Sequence, residues 1–403
     1  MYAASAALAM RRFLQQDGAG LRNSKGKHMQ ICVLGAGMVG GVMARDLAGR
    51  HEVTSADHSD AALARLAPYG IHTRQLDLTD ARTLADFVRP FDLVVSAVPG
   101  FMGFRTLKTL IEAGKNVADI SFFPEDALQL DALAKRRGVT ALTDIGVAPG
   151  MDNLILGHHD THMRVERFEC LVGGLPKHPQ PPFNYKAPFS PIDVIEEYTR
   201  PARLQRAGNV VTMPALSERE TVEFEGVGRL EAFNTDGLRS LLKTMAHIPE
   251  MAEKTLRYPG HAALIETLKQ AGFFSTDTLD VGAVKVRPLD LAVKLLLDQW
   301  KLAPGEPEFT VMRVTVEGKE DGRHVRHVWE VHDEYDAATG FSSMARTTGF
   351  TCTAAANLLL EGRFREPGVH PPEIVGRASG CFDFILAYLK ERRVSYLHRV
   401  SAL

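Results

Sequence analysis

The stretch that decides the fold runs Gln30-Ile31-Cys32-Val33-Leu34-Gly35-Ala36-Gly37-Met38-Val39-Gly40. Its apolar first half predicts a buried strand, and its second half has the glycine spacing of a tight turn that opens a helix. Gly35 permits the turn, Gly37 leaves room for a pyrophosphate, and Gly40 lets the helix pack on the strand. Together these residues predict a dinucleotide-binding site.

The start of the helix and the end of the next apolar run both bear on the ligand. Met38 and Val39 open the helix, whose free N–H groups and dipole attract phosphate. Asp57 stands 22 residues after Gly35, where a carboxylate meets the ribose hydroxyls. It would repel a 2′-phosphate, and residues 58–60 supply no arginine to hold one, so the sequence favours NAD over NADP. The alternative is that Asp57 only caps the next helix.

Apolar runs alternate with amphipathic stretches from Met29 to about residue 150. This alternation predicts an α/β Rossmann fold, in which helices cover both faces of a doubly wound parallel sheet. The expected strands are 30–34, 52–56, 71–76, 93–97, 116–119 and 140–143. The expected helices are 38–49, 59–67, 79–88, 103–114 and 124–137, with Thr79 and Pro124 as helix starts.

Ligands of such a sheet bind beyond the carboxyl ends of its strands, where this sequence has polar or small residues. Asp77 is expected near the adenine, and Ala97-Val98-Pro99 beside the nicotinamide ribose. The alternative for the latter segment is a plain loop. Asp119 and Asp144 end two further strands, on the nicotinamide side.

The character of the sequence changes after residue 150. We expect a second, α+β domain over 151–341, following a dinucleotide-binding domain over 29–150. Residues 342–403 are expected to be helical and to return to the first domain, because such a tail would struggle to form its own core. Residues 1–28 are expected to be a disordered extension or the result of an upstream start codon before Met29, and the alternative is an Arg-rich, acid-poor transit peptide. The expected strands of the second domain are 164–175, 219–225, 308–317 and 326–334.

Composition excludes several classes of partner. The chain of 403 residues has a net charge of −2 without a Lys/Arg block, which argues against nucleic acid and membrane surfaces. No apolar run approaches the roughly 20 residues of a spanning helix. The four cysteines, Cys32, Cys170, Cys352 and Cys381, stand far apart, so we expect no disulfide framework, no zinc site and a reducing, cytoplasmic location.

Two later segments carry candidate site residues. In Thr143-Asp144-Ile145-Gly146-Val147-Ala148-Pro149-Gly150-Met151-Asp152-Asn153, a helix starts near Asp152, and its N-terminus could hold a carboxylate or the nicotinamide amide. An interdomain hinge with a capped helix is the alternative. In Lys254-Thr255-Leu256-Arg257-Tyr258-Pro259-Gly260-His261, Arg257 could fork onto a substrate carboxylate. Tyr258 or His261 could move protons, although a solvated loop would explain the same pattern.

Histidines recur at 158, 159 and 162, and His158 and His162 have the i, i+4 spacing that suits metal ligands on a helix. No acid stands in the position of an HExxH motif, and the neighbouring residues are typical of an exposed helix face. The sequence therefore predicts no metal site.

Beyond these motifs, the chain from Met29 to about Gly376 resembles the saccharopine dehydrogenase-type oxidoreductases, and within them the NAD-dependent L-lysine 6-dehydrogenases. The most specific pieces are the GVAPGM, GGLP and RYxGH segments. The segments that carry the resemblance are Gly35–Gly40, Asp144–Met151, Gly173–Pro176, Leu230–Phe233, Thr255–His261, Met344–Thr348 and Gly368–Glu373.

The resemblance implies a Rossmann domain completed by the C-terminal segment, and a central domain that binds an amino acid substrate and forms a homo-oligomer, at least a dimer. It also implies oxidative deamination of an amine on that amino acid. Thr235, in the implied substrate site, stands where saccharopine-forming relatives have a carboxylate-binding arginine, which favours a smaller substrate such as lysine. The segment 119–123 also departs from the lysine enzymes, which continue with glycines after the aspartate.

This chemistry needs a proton acceptor, because the amine must be neutral and a lysine ε-amine has a pKa near 10.4. We expect Asp119 to accept the proton or anchor the amine, with Tyr258 and His261 as further candidates. Arg257 is expected to anchor the α-carboxylate, and Asp144 and Asp152 to lie in the same site. The alternatives are a saccharopine dehydrogenase or another imine reductase, and a non-catalytic sensor that binds NAD.

Overall fold

The computed structural model of the chain describes residues 28–188 and 191–403, so all but the last residue of the predicted N-terminal extension lies outside the described residues. Up to His159, strands and helices alternate. The strands are β1 (Gln30–Leu34), β2 (Glu52–Asp57), β3 (His72–Gln75), β4 (Leu93–Ser96), β5 (Val117–Asp119) and β6 (Thr140–Leu142). The helices are α1 (Met38–Leu47), α2 (Asp60–Ala64), α3 (Ala81–Val88), α4 (Gly100–Glu112), α5 (Asp131–Arg137) and α6 (Met151–His159).

Strands dominate the middle of the chain, and helices return after it. The middle strands are β7 (Arg164–Pro176), β8 (Ala202–Arg206), β9 (Asn209–Met213), β10 (Glu220–Phe224), β11 (Gly228–Asn234), β12 (Glu250–Arg257), β13 (Leu279–Val281), β14 (Val284–Val286), β15 (Glu308–Glu320) and β16 (Arg323–Glu334). Between them lie α7 (Pro191–Thr199), α8 (Leu241–Thr244), α9 (His261–Gln270) and α10 (Pro288–Trp300). Then follow α11 (Ser343–Leu360), β17 (Gly368–His370), α12 (Pro372–Arg377), α13 (Cys381–Glu391) and β18 (Tyr396–Ala402).

The first compact unit contains the described residues up to Gly157, together with Asp336–Phe341 and Ala345–Val394. Its sheet has the order β17-β6-β5-β4-β1-β2-β3, and every neighbouring pair is parallel. Strands covered on both faces read as continuous apolar runs, as in the fully buried β4. The predicted α/β fold with a doubly wound parallel sheet is confirmed.

Residues after Ser342 contribute to this first unit through β17 and through contacts with α1. Asp46, at the end of α1, accepts hydrogen bonds from Thr353 Oγ1 at 2.5 Å and Tyr388 Oη at 2.8 Å. Its other carboxylate oxygen accepts from Arg392 Nε at 2.7 Å. One half-buried carboxylate therefore fixes both α11 and α13 against the first helix of the sheet.

The second unit contains His158–Tyr335, Ser342–Met344 and Ser395–Leu403. Its main sheet has the order β10-β11-β12-β7-β15-β16-β18, with β8 and β9 attached beside β12. Only the β12–β7 pair among these is parallel, so the sheet is mixed, as the α+β prediction allowed. The prediction that residues 342–403 return as a whole to the first domain differs from this structure, because Ser395–Leu403 supplies β18 to the second sheet.

Several element boundaries also differ from the sequence predictions. Asp80 rather than Thr79 caps α3, since its carboxylate accepts from Arg82 N at 3.1 Å. No helix starts at Pro124; a 3-10 turn over Ala127–Leu130 comes first, and α5 follows it. Over the described residues, we find no helix that is both long and apolar enough to span a membrane.

Candidate dinucleotide and proton-transfer site

The glycine turn after β1 leaves no room for a side chain at two of its three glycines. Gly35 has φ +96°, and a Cβ there would lie 2.6 Å from the carbonyl oxygen of Ala97. A Cβ on Gly40 would lie 2.1 Å from the carbonyl oxygen of Gly35. These two positions hold β1, β4 and α1 together, and any side chain would push the backbone apart.

Gly37 differs from its neighbours, because a Cβ there would meet nothing within 4 Å. It is the N-cap of α1, and it lends the helix no side-chain cap; the first turn also contains no acid. Met38 and Val39 begin the helix, with Met38 exposed. Open space in front of an uncapped ten-residue helix fits a pyrophosphate bound by N–H groups and dipole.

Asp57 lies at the end of β2, beside the glycine turn. Its Oδ2 accepts from Ala36 N at 2.7 Å, and its Oδ1 accepts from Ser59 N at 2.8 Å. The cap of α2 is Ser59, whose hydroxyl accepts from Ala62 N at 3.3 Å. The carboxylate is therefore fixed at the mouth of the turn, where its remaining lone pairs can accept from ribose hydroxyls.

The other predicted cofactor residues also lie at strand ends of this sheet. Asp77 is exposed, and its Oδ1 accepts from both the amide and the hydroxyl of Thr79, which lower its pKa. Ala97-Val98-Pro99 follows β4, where Ala97 N donates to Leu34 O at 2.8 Å and Pro99 is the N-cap of α4. The segment is thus held beside the glycine turn.

Asp119 ends β5 and is completely buried. Its Oδ1 accepts from the hydroxyl of Ser121 at 2.7 Å and from the amide of Ser121 at 3.3 Å. Its Oδ2 is buried and has no hydrogen bond of good geometry within the described residues, although the hydroxyl of Ser96 lies close enough to favour the charged form. This oxygen is therefore available to a ligand at the carboxyl edge of the sheet.

Burial raises the pKa of Asp119 from 3.8 to about 7, against the effect of the Ser121 hydroxyl. The hydroxyl of Ser96, at the paired position of β4, also favours the charged form, while the nearby Asp144 opposes it. Burial likewise raises the pKa of the Cys352 thiol, and the charge of Asp119 adds to this shift. A carboxyl group that titrates near neutral pH can both accept and return a proton.

The GVAPGM segment forms a closed loop between β6 and α6. Asp144 has φ +55° and is buried, and Ile145 N donates to the carbonyl of Asp119 at 3.1 Å. A Cβ on Gly150 would lie 2.0 Å from Gly146 O, so the loop can close only with glycine. Asp152 is buried and accepts from Gly150 N at 2.9 Å, which gives α6 the capped start that the alternative interpretation expected.

In the second unit, Arg257 ends β12 in a buried chain of hydrogen bonds. Its Nε donates to Tyr198 Oη at 2.8 Å, and its Nη2 donates to Glu197 Oε2 at 3.1 Å. Burial alone would lower the pKa of this guanidinium, but the oxygens around it, on Tyr185, Tyr198 and Glu197, raise it overall. Arg257 is thus a buried strand residue rather than part of a solvated loop.

His261 continues the same chain. Its Nδ1 lies 2.8 Å from the carbonyl of Phe183, which can only accept, so Nδ1 carries the proton. Its Nε2 then accepts from Tyr198 Oη at 2.9 Å. Burial, and then the charge of Arg257, lower the pKa of His261 to about 3, which keeps the ring neutral. These contacts favour a positioning role for both residues.

The remaining predicted residues of the second unit are Tyr258, which follows Arg257 along the chain, and Thr235, which contacts β12 through Thr255. Tyr258 is half-buried, donates to Pro176 O at 2.9 Å, and has its pKa raised by burial. Thr235 is buried and exchanges a hydrogen bond of 2.9 Å with the hydroxyl of Thr255. The roles assigned to Arg257, Tyr258, His261 and Thr235 in substrate binding and proton transfer stay predictions.

Tyr198→Phe is expected to lower the free energy of unfolding by about 1–3 kcal/mol, because it leaves Arg257 Nε and His261 Nε2 buried without partners. Tyr258→Phe is the matched control, since it removes one half-buried hydrogen bond worth about 1 kcal/mol. Urea unfolding of both variants measures the difference. A Tyr198→Phe protein of unchanged stability but raised KM would instead indicate that the hydrogen bonds between Arg257, Tyr198 and His261 serve substrate binding.

Sequence analysis missed the residues that tune the predicted ones. Ser121 lies in the segment 119–123, and its spacing of two from Asp119 is a signal for a local side-chain hydrogen bond. Tyr198 gave no signal, because it lies 59 residues from Arg257 along the chain. Cys352 gave no signal in the sequence either, because only the fold brings Cys352 of α11 near Asp119 of β5.

Two family models match most of the described chain. The family model for the saccharopine dehydrogenase NADP binding domain matches residues 31–142. The model for the saccharopine dehydrogenase C-terminal domain matches residues 146–394. The two matches cover the first sheet and nearly all of the remaining chain.

Individual relatives agree with the family models. The saccharopine dehydrogenase (NADP(+), L-glutamate-forming) of Saccharomyces cerevisiae is 23% identical, over 91% of this chain and 98% of that protein. The enzyme of the same name from Pyricularia oryzae is 24% identical, over 79% of this chain and 86% of its own length. The alpha-aminoadipic semialdehyde synthase of Arabidopsis thaliana is 27% identical over 51% of this chain, which spans 21% of that longer protein.

A solved structure shares the fold. The apo saccharopine dehydrogenase (L-Glu forming) of Saccharomyces cerevisiae aligns with a TM-score of 0.77 at 20% identity, over 93% of this chain and all of that one. The resemblance seen in the sequence is therefore confirmed at the level of the family. Because the C-terminal family model alone spans more than half of the chain, this protein belongs to the saccharopine dehydrogenase family.

Proposed function

We propose that this protein is a nicotinamide-dependent oxidoreductase that oxidises the carbon bearing the side-chain amine of an amino acid, with L-lysine as the first candidate substrate and NAD as the preferred cofactor. The observation that carries the proposal is Asp119. It is a buried carboxyl group with a pKa of about 7, and it lies at the carboxyl ends of the strands, where the glycine turn fits a dinucleotide. Groups with such shifted pKa values concentrate at functional sites.

In this reaction, a nicotinamide dinucleotide held at the glycine turn would supply the hydride acceptor. The protein must supply a base, because only the neutral amine has the lone pair that drives hydride departure. A free lysine ε-amine has a pKa near 10.4, and moving it out of water lowers that value toward the pKa of Asp119. Asp119 Oδ2 then takes the ammonium proton. Water adds to the resulting imine, and the products are the aldehyde, ammonia and the reduced dinucleotide.

The second candidate is a saccharopine dehydrogenase, which oxidises a secondary amine between two amino acids. The names of the fungal relatives and of both family models support it. Thr235 argues against it, because a buried threonine bonded to Thr255 cannot bind a substrate carboxylate as a guanidinium does. Asp119 would serve the same role in either reaction.

The deciding experiment compares lysine with saccharopine, each with NAD and with NADP, by the absorbance of the reduced nicotinamide. Turnover of lysine with release of ammonia supports the first candidate. Turnover of saccharopine with release of an amino acid and no ammonia supports the second and overturns the first. Binding of the dinucleotide without turnover of either amine would favour a sensor.

The cofactor preference rests on the carboxylate of Asp57 and predicts the result of removing its charge. Asp57→Asn is expected to change the ratio of the Kd values for NADP and NAD by about tenfold toward NADP, as loss of about 1.4 kcal/mol of repulsion implies. Asp60→Asn, an exposed neighbour on α2, is the control. Fluorescence titration with both reduced dinucleotides measures the ratio.

A wild-type protein that binds NADP more tightly than NAD would contradict this argument. In that case Arg74 is the residue to test, because the sheet pairs it with Ala56, next to Asp57. Arg74 lies in β3, the strand beside β2, and not among the residues that follow Asp57 along the chain.

We also propose that the protein acts in the cytoplasm as a homo-oligomer. All four cysteines are free and buried, which suits a reducing compartment. Cell fractionation tests the location, and light scattering on the purified protein tests the assembly. A monomeric mass in solution would contradict the second part.

A further inference from the structure

Three histidines from distant parts of the chain meet in the second unit. His159 ends α6, His327 lies in β16, and His398 lies in β18. One ring nitrogen from each lies within 4.8 Å of the other two. The sequence predicted no metal site from His158, His159 and His162, which are close together along the chain. Of these three histidines, His159 belongs to the trio, and His158 and His162 do not.

The two strands place His327 and His398 on the same face. In the antiparallel β16–β18 pair, His327 is opposite Val400 and Trp329 is opposite His398, so the two histidines are diagonal neighbours. The ring of His398 stacks on the indole of Trp329 at 4.0 Å between centroids. The ring of His159 lies 4.2 Å from that of His327.

A carboxylate orients the central histidine. Nδ1 of His327 lies 3.0 Å from Nε2 of His398, and Nε2 of His327 lies 3.2 Å from a carboxylate oxygen of Glu320. A carboxylate can only accept, so Nε2 of His327 donates to it and Nδ1 presents a lone pair toward His398. This arrangement of carboxylate, histidine and shared centre recurs around protein metal ions, where it fixes the ligand's tautomer.

His159 offers a further buried lone pair. Its Nε2 accepts from the indole N–H of Trp329 at 2.9 Å, because an indole can only donate. Its Nδ1 has no hydrogen-bond partner within the described residues, and the residue is buried, with 1% of its surface exposed. With Nε2 accepting, Nδ1 carries the ring proton. Buried polar atoms of native proteins are nearly always paired, so this unpaired nitrogen marks a place that a ligand would satisfy, with the ring in the other tautomer if the ligand is a cation.

We propose that His159, His327 and His398 bind one divalent transition-metal cation, with zinc as the first candidate, and that Glu320 orients His327. Imidazole nitrogens suit zinc, copper and nickel, and zinc takes them at about 2.0–2.1 Å. The three nitrogens lie within 4.8 Å of one another, so the rings would rotate to bring them to that distance from one cation. His398 is exposed and gives the cation a path from solvent. The bound cation joins His159 to β16 and β18 within the second unit, so the role proposed for it is structural.

Trp329 should report binding through either nitrogen of His159. If the cation takes Nε2, it displaces the indole N–H. If it takes Nδ1, the ring proton moves to Nε2, which then no longer accepts from the indole. Both outcomes change the surroundings of Trp329, one of the two tryptophans of the chain.

The experiment uses the full-length protein without a polyhistidine tag, freed of metal by a chelator and titrated with zinc alone. We expect one equivalent of zinc to bind by equilibrium dialysis with metal analysis, to raise the melting temperature and to change tryptophan fluorescence. His398→Gln should weaken zinc binding at least tenfold. Because His398 is exposed, this substitution should leave the fold intact. Trp329→Phe should abolish the fluorescence change but keep the rise in melting temperature.

His332→Gln is the matched control, because His332 lies on the same strand but outside the trio, with its Nε2 3.7 Å from Oε1 of Glu334. It should bind zinc as the wild type does. Absence of bound zinc in the wild type would overturn the proposal. Equal binding by His398→Gln and the wild type would do the same, since it would assign the metal to other surface histidines.

Discussion

Asp119→Asn is expected to lower kcat by about 10²–10⁴-fold, because the amide cannot accept the amine proton. Asparagine keeps the shape of the side chain, and its carbonyl oxygen can still accept from the hydroxyl of Ser121. The KM for the amine should change less than kcat. In the wild type, kcat should rise with pH through about 7, where Asp119 ionises, and the variant should lack this step.

The same substitution should stabilise the fold at high pH. Burial raises the pKa of Asp119 from 3.8 to about 7, so the folded wild type holds a proton that the unfolded chain has lost. Its stability therefore falls as pH rises from about 4 to about 7 and stays at the lower level above that range. The full difference corresponds to about 4 kcal/mol as an upper bound. Asparagine carries no charge and avoids this loss.

Melting temperatures between pH 4 and pH 8 measure the effect beside the kinetic profile. Asp86→Asn is the control, since Asp86 is an exposed helix residue paired with Arg89. A variant at Asp119 that keeps the wild-type kcat at every pH would show that the proton acceptor lies elsewhere. A variant that gains no stability at pH 8 would show that Asp119 is not the group that titrates near 7.

Gly40→Ala is expected to cost about 3 kcal/mol or more and to abolish dinucleotide binding. The new Cβ would lie 2.1 Å from the carbonyl oxygen of Gly35, and backbone cannot move aside as a flexible side chain can. Gly41→Ala is the matched control on the same helix, because its Cβ would meet Leu66 at 3.6 Å. That variant should gain up to about 1 kcal/mol from helix propensity.

Gly37→Ala separates binding from folding at the same turn. Its Cβ would meet no atom of the chain within 4 Å, so the melting temperature should stay close to that of the wild type. The methyl group would occupy the space proposed for the pyrophosphate, and we expect at least a tenfold loss of dinucleotide affinity. Unchanged affinity would show that the dinucleotide does not pass this residue.

Much of the first sheet was predictable, because short-range patterns decide it. The glycine spacing and the alternation of apolar runs depend on neighbours within a few residues, and they located the strands from β1 to β6. Helix starts were less predictable. Thr79 and Asp80 are both good capping residues, and only the backbone geometry decides between them.

The behaviour of the candidate site was less predictable, because it depends on burial by distant segments. The sequence placed Asp119 at a strand end, but its pKa of about 7 comes from desolvation, which no local pattern shows. Arg257 was predicted to be available to substrate, yet β12 lies between β11 and β7, and its last residue is buried. The histidine trio combines residues up to 239 positions apart, which periodicity cannot detect.

The last strand, β18, has a consequence for how the protein is made. Domains usually fold in the order of their synthesis, from the N-terminal one onward. Here the first unit lacks β17 until residue 370 has been translated, and the second lacks β18 until residue 402. A nascent chain paused before Ser395 therefore exposes the free edge of β16, which can pair with another nascent chain. We expect ribosome-bound intermediates of this protein to depend on chaperones until β18 has emerged and paired with β16.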